Sequence, residues 1–311
     1  MTSKRRAYFA WVVVCVVWGT TYLAIRIALE SIPPLLMAAM RWIAAGSILL
    51  AALKIRGEQL PGRRAWPALA ILGILLLGLG NGAVVWAEQT VASGLTAVLV
   101  ATVPFWMVGI EAIVERRARR NDQVPAQSTS SGDGSSRLVC HMIGLMIGFA
   151  GIVMLVWPEL RTDENRHGFL VGFVSTQIAC VGWAVGSSYA RHRGRNEAES
   201  ENVLATAAYE MLFGGLALLL VSAFLREPAR LAFTLRTSLA LGHLIIFGAI
   251  AGFTAYAYAL KHLSVATVSL YAYINPVIAV VLGALVLGEP FGVRMAVAAA
   301  VVFTGVALVR D

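Results

Sequence analysis

Apolar residues in this chain come in long continuous runs, not at alternate positions and not along a single helical face. A helix that crosses the hydrocarbon core of a bilayer needs about 20 mostly apolar residues. Segments of that kind recur at roughly 8–29, 35–53, 67–87, 94–114, 139–157, 168–190, 203–225, 239–260, 266–287 and 291–309. Their length and unbroken apolarity exclude barrel strands, which are about 10 residues long and alternate. The expected fold class is therefore an all-α polytopic membrane protein with ten transmembrane helices. The first run follows Lys4, Arg5 and Arg6 and continues past Tyr22 without a small-residue cleavage site, so it reads as a retained helix.

Composition agrees with that pattern. The chain is 59% hydrophobic and 14% charged, whereas soluble domains carry about 45–50% apolar and about 25% charged residues. So few charges cannot cover a water-facing surface of this size. The net charge of +8 does not imply nucleic acid, because the basic residues sit in short loops between apolar runs. Their distribution orients the chain. With the N-terminus inside, 17 Lys and Arg fall in cytoplasmic segments and 6 in outer loops, which supports cytoplasmic N- and C-termini and an even number of spans. The longest polar stretch, 116–138, is rich in Ser and Gly from Gln127 to Ser136 and reads as a cytoplasmic linker with too little apolar content for a core. Cys15, Cys140 and Cys180 form no CxxC pair, and neither a metal site nor a cofactor is expected.

The two halves echo each other. Trp18-Gly-Thr-Thr-Tyr22 in helix 1 answers Trp183-Ala-Val-Gly-Ser-Ser-Tyr189 in helix 6, and Pro104 in helix 4 answers Pro276 in helix 9. Five is an odd number of helices, so the second unit must be inverted relative to the first, an architecture found in secondary transporters.

The run from Tyr258 to Glu289, with Leu-Ser-Val-Ala-Thr-Val, Tyr-Ile-Asn-Pro-Val-Ile-Ala and Leu-Val-Leu-Gly-Glu in it, resembles the signature of the drug/metabolite transporter superfamily, EamA type. Trp18-Gly-Thr-Thr-Tyr22 is similar to that family's opening helix. The resemblance implies ten helices in two inverted repeats, the first at 1–115 with its fifth helix at 139–157, the second at 168–311. It also implies export of amino acids or related small metabolites across the bacterial inner membrane. The first half departs from the pattern, carrying Val114-Glu115-Arg116-Arg117 where the second has Gly288-Glu289.

Several residues could line a transport path. Trp18, Trp106 and Trp183 lie ten or more residues into their helices, about 15 Å deep, whereas Trp11, Trp42, Trp66, Trp86 and Trp157 lie nearer helix ends, where an interfacial belt is expected. Tyr22, Tyr258 and Tyr271 share helix faces with polar neighbours, and Asn81, Gln177 and Asn275 are amides near mid-span. These nine, Trp18, Tyr22, Asn81, Trp106, Gln177, Trp183, Tyr258, Tyr271 and Asn275, make up the candidate substrate-binding set; packing between helices would explain the same positions. Arg26 is expected to pair with Glu30 one turn on, Arg41 to snorkel toward the membrane surface or else to attract anionic groups, and no role is assigned to Glu111 or Glu210. An aromatic cavity of this kind suits solutes with an apolar body, aromatic or cationic compounds among them.

A lipid-modifying intramembrane enzyme would need paired acid–base groups at depth, and His141, His243 and His262 lie toward helix ends without acidic partners. A passive channel or receptor would not call for an inverted repeat. The reading is thus a non-enzymatic transporter whose partners are a small-molecule substrate and the lipid bilayer, with no nucleic acid; oligomeric state is left open. Its topology is testable. Single cysteines placed at 158–167 and 226–238 should react with an impermeant maleimide added to intact cells, and cysteines at 116–138 should not. Labelling of the 116–138 segment from outside would reject the orientation.

Overall fold

A computed structural model of the chain describes residues 3–120, 143–144, 146–154, 157, 166–197, 202–263, 268 and 271–310. The described residues are helical throughout, joined by short turns. The spans are α1 (Ser3–Ala28), α2 (Pro34–Ile55), α3 (Trp66–Leu72, Gly73–Asn81 and Gly82–Ala87 in continuous succession) and α4 (Ser93–Val100 and Val103–Arg120). A helical stretch at 146–154 belongs to α5. Then come α6 (Arg166–Glu197), α7 (Val203–Phe224), α8 (Leu235–His243, Leu244–Ala251 and Gly252–His262), α9 (Tyr271–Leu287) and α10 (Val293–Arg310). Among the described residues seven helices are long and apolar enough to cross a bilayer, with two shorter apolar helices at Ile274–Leu287 and Val293–Gly305. The all-α polytopic fold is thus present. Most of the predicted linker, and part of the predicted helix at 139–157, lie outside the described residues; α4 itself runs on to Arg120.

Polar contacts at the two ends show how the spans alternate. At the end that carries both termini, Arg191 pairs with Glu111 at 3.5 Å and Asn202 donates to Glu58 at 3.1 Å. At the far end, Arg236 pairs with Glu30 at 3.1 Å and Thr90 donates to the Gly168 carbonyl at 2.8 Å. Helix starts at the far end are held by carboxylates from other connections. Glu227, fully buried, accepts from Leu36 N at 2.8 Å at the start of α2. Glu289 accepts from Ser93 N and Ser93 Oγ, each at 2.8 Å, at the start of α4. A helix N-terminus presents unpaired N–H groups and a positive dipole end, so a carboxylate there is stabilising. Gly288 makes the latter cap possible, because its φ of +65° turns the chain back toward α4.

The packing is two-fold symmetric. The two second helices, α2 and α7, pack against each other, and Gly46 lies against Leu212 and Met211 as its counterpart Gly215 lies against Ile43 and Trp42. Helix α1 packs on α8 and α9, and in the same way α6 packs on α3 and α4. Both third helices contain a π-helical stretch, Gly73–Asn81 in α3 and Leu244–Ala251 in α8. Neither stretch has a sequence signal. Such stretches widen the turn and leave carbonyls available to other donors.

Several expectations change. Trp42 is 2% exposed, not interfacial, and its indole donates to Asn81 Oδ1 at 3.0 Å. Arg26 does not pair with Glu30; its guanidinium donates to the Glu88 backbone carbonyl, and Glu30 takes Arg236. Arg41 does not snorkel: it is 3% exposed, with its guanidinium 4.2 Å from the Trp42 ring centroid. Pro104 stands just after a break at 101–102 and not in mid-helix, while Pro276 is inside α9.

Lipid offers no hydrophobic drive for helix association, so close approach through small residues carries the packing. Gly73 meets the Glu210 carbonyl and Gly214 of α7 with no room for a side chain. Gly73→Leu should therefore part α3 from α7 and destabilise the protein by about 1–3 kcal/mol, read as a lower unfolding temperature in detergent. An unchanged temperature would show that this seam has slack.

Candidate functional site

The interior of the bundle is lined at mid-depth by an aromatic cluster built from three helices. Trp18 of α1 has its ring centroid 4.9 Å from Tyr271 of α9, and 5.3 and 5.5 Å from Tyr256 and Phe253 of α8. Tyr256 and Tyr271 meet edge to face at 5.9 Å. The Trp18 indole N–H donates at 3.1 Å to the carbonyl of Gly248, within the π-helical stretch of α8. A side chain at Gly252 would collide with that same indole nitrogen. The opened backbone thus supplies both the acceptor and the space. Asn275, one turn beyond Tyr271, has its amide nitrogen placed to donate to the carbonyls of Cys15 at 3.0 Å and Tyr271 at 3.1 Å, which ties α9 to α1.

The repeat-related half presents a matching but plainer face. Trp183 of α6 lies over Gly80 in the π-helical stretch of α3, as Trp18 lies over Gly252 just after the π-helical stretch of α8. At the break in α4, Thr102 Oγ1 donates to the Leu99 carbonyl at 2.6 Å, and Cys180 Sγ approaches the Leu99 and Val100 carbonyls at 3.9 Å. Pro104 has no N–H to offer Val100, and Cys180 Sγ lies against the carbonyl that the proline leaves free. Trp106 donates to Gln177 Oε1 at 3.1 Å, and Gln177 Nε2 is buried without a partner.

Charged groups stand between the aromatic cluster and the far end. Trp18, Tyr22 and Arg26 follow one another at i, i+4 and i+8 on one face of α1. Tyr22 is within electrostatic reach of Glu88 and Tyr271. Arg41 of α2 sits close over Gly248, within electrostatic reach of His243, and His243 shares a 2.9 Å hydrogen bond with Thr20. Beyond them a vestibule of about 1000 Å³, with Arg26, Glu30, Thr90, Glu289 and Arg294 among its walls, opens at the far end. Between vestibule and cluster α9 closes on its neighbours: Gly94 of α4 has Val280 against it, and Gly19 of α1 has Ile278.

Of the nine residues expected from sequence, Trp18, Tyr271 and Asn275 come together and Tyr22 stands beside them. Trp183 faces its own π-helical stretch, and Trp106 and Gln177 pair between α4 and α6. Asn81 is taken up by Trp42. Tyr258 is turned away, its ring 4.4 Å from His262, because it lies two residues and so about 200° round the helix from Tyr256. None of the nine lines the vestibule. Sequence reasoning missed Tyr256, Phe253, Glu88 and the burial of Arg41. An available signal for Glu88 was an acidic residue closing an apolar run, followed by only four residues before the next helix.

Comparison with known proteins agrees with this architecture. The profile of the EamA-like transporter family matches residues 5–120 and 170–310. The chain is 37% identical over 275 residues to a protein of Escherichia coli strain K12 named as the uncharacterized inner membrane transporter YedA, covering 88% of this chain and 80% of that one. It is 24% identical to the uncharacterized transporter YoaV of Bacillus subtilis, covering 94% and 92% respectively. A WAT1-related chloroplastic protein of Arabidopsis thaliana is 25% identical, over 94% of this chain and 66% of its own length. A solved crystal structure superimposes with a TM-score of 0.62 at 20% identity, covering 98% of this chain and 96% of the other, and so shares the fold. With ten-helix architecture, a symmetric interior and a family match over both halves, the chain is a multi-pass membrane protein that belongs to the EamA-like transporter family.

Proposed function

We propose that the protein is a secondary transporter that exports amino acids or related small metabolites, with aromatic or cationic compounds within its range. It works by alternating access to the aromatic cluster around Trp18, with both termini in the cytoplasm of a bacterial cell and the membrane being the inner one. The observation that carries this reading is the two-fold exchange of contacts. Trp18 on the α8 π-helical stretch and Trp183 on the α3 π-helical stretch are equivalent seams on either side of one interior. Opening one seam while the other stays closed would expose the interior first to one end and then to the other. The two repeats, 1–115 with the helix at 139–157 and 168–311, would be the moving parts, tethered by 116–138. The protein supplies binding and gating and no bond chemistry.

Aromatic faces suit a solute with an apolar body, each contact being worth about 0.5–2 kcal/mol. Trp18→Ala should therefore raise the half-saturation concentration for exchange in proteoliposomes at least tenfold, and Trp183→Ala should slow turnover, while both proteins remain folded in the membrane. Trp66→Ala, which removes ring contacts with Tyr209 and Phe213 and a cation–π contact from Arg63 near the termini end, serves as control. Wild-type exchange by both interior variants would reject the assignment.

A further inference from the structure

Two ionisable side chains inside the bundle have almost nothing to bond. Arg41 is 3% exposed and Glu88 is fully buried. Nε and Nη1 of Arg41 and both carboxylate oxygens of Glu88 lack a partner. The two groups are within electrostatic reach of each other, and Glu88 is within reach of Arg26 and Glu289 as well, yet no ion pair closes between Arg41 and Glu88. An unpaired buried charge is among the costliest arrangements a protein can keep, and the membrane interior adds to the cost. Two such groups of opposite sign, within electrostatic reach of each other and unjoined, leave hydrogen-bonding capacity that a ligand with both charges could meet.

Their place in the bundle says what that could be. Glu88 closes α3, and its backbone carbonyl is held by Arg26, which also walls the vestibule. Arg41 Nη2 packs directly against Gly248, and the Gly248 carbonyl holds Trp18. The pair is therefore stationed between the far-end vestibule and the aromatic cluster. A simple anion would satisfy Arg41 and repel Glu88; a simple cation would do the reverse. A molecule carrying both charges satisfies both groups and brings no net charge into the membrane.

We propose that Arg41 and Glu88 form the polar half of the substrate site, the guanidinium receiving the carboxylate and Glu88 the ammonium of an α-amino acid whose side chain lies against Trp18, Tyr256 and Tyr271. This rests on the transport reading above and adds to it the recognition of a zwitterion. Both contacts are charge-assisted hydrogen bonds in a dry setting, where they are stronger than neutral ones.

The test uses the full-length protein in proteoliposomes and three probes: L-phenylalanine, N-acetyl-L-phenylalanine (no ammonium) and L-phenylalaninamide (no carboxylate). Wild type should exchange L-phenylalanine with a half-saturation concentration at least tenfold below that of either analogue. Glu88→Gln should erase the preference over the N-acetyl compound, and Arg41→Gln should erase the preference over the amide. Arg41→Lys should restore part of the latter, and the gel-filtration profile and unfolding temperature should verify folding. Variants that keep both wild-type preferences overturn the subsite and leave the transport reading standing. A wild type that exchanges none of the three overturns both. Normal exchange by Glu88→Gln, with loss only of accumulation driven by a proton gradient, overturns zwitterion recognition and assigns Glu88 to proton carriage.

Discussion

Backbone groups in a bilayer have no water to turn to, and the interior of this protein is organised by how it meets that constraint. At several openings of the helical ladder a side chain takes the carbonyl left available. Trp18 takes the Gly248 carbonyl in the π-helical stretch of α8. Thr102 and Cys180 take the carbonyls exposed by the break in α4. Arg26 takes the Glu88 carbonyl at the end of α3. Each repair crosses from one helix or turn to another, or sits where two helices meet, so the irregularities are also the fastenings. An unbroken set of ten helices would have needed none of them and would have had no specific way to join its halves.

The same fastenings explain why the site is where it is. Opened helix turns need room, and the glycines at 80 and 252 provide it. The indoles of Trp18 and Trp183 fill that room from opposite sides of the interior. A group that fills a glycine-lined slot by van der Waals contact and one hydrogen bond can leave and return without breaking a packed core. The α2–α7 seam is different in kind, with small residues meeting backbone closely on both sides, and it suits a fixed axis better than a moving surface.

Much of this could be read in advance and some could not. The spans were legible because twenty apolar residues in a row have few other uses. The inverted repeat was legible because its tryptophans and prolines fall at like positions. The π-helical stretches were not, since Gly73–Asn81 and Leu244–Ala251 look like ordinary apolar helix. Depth counted from helix ends misled at Trp42 and Arg41, because α2 is enclosed by α7, α8 and α3, and a residue near its end is still inside protein. Choosing Tyr258 over Tyr256 was a matter of helix phase, which the position of α1 decides. Glu88 looked like a boundary residue; it is buried because α3 and α4 are joined by a turn that tucks inward against α6.

The α2–α7 seam carries one more consequence. Apart from α4 on α9, the other seams join helices that are not counterparts of each other in the two repeats. Along α2 and α7 each helix faces its own duplicate: Gly46 lies on Leu212 and Met211, and Gly215 lies on Ile43 and Trp42. A bulkier residue on either side must be answered by a smaller one on the other, within a single gene. The two copies are therefore coupled along this line, where each helix has to accommodate any change in its counterpart.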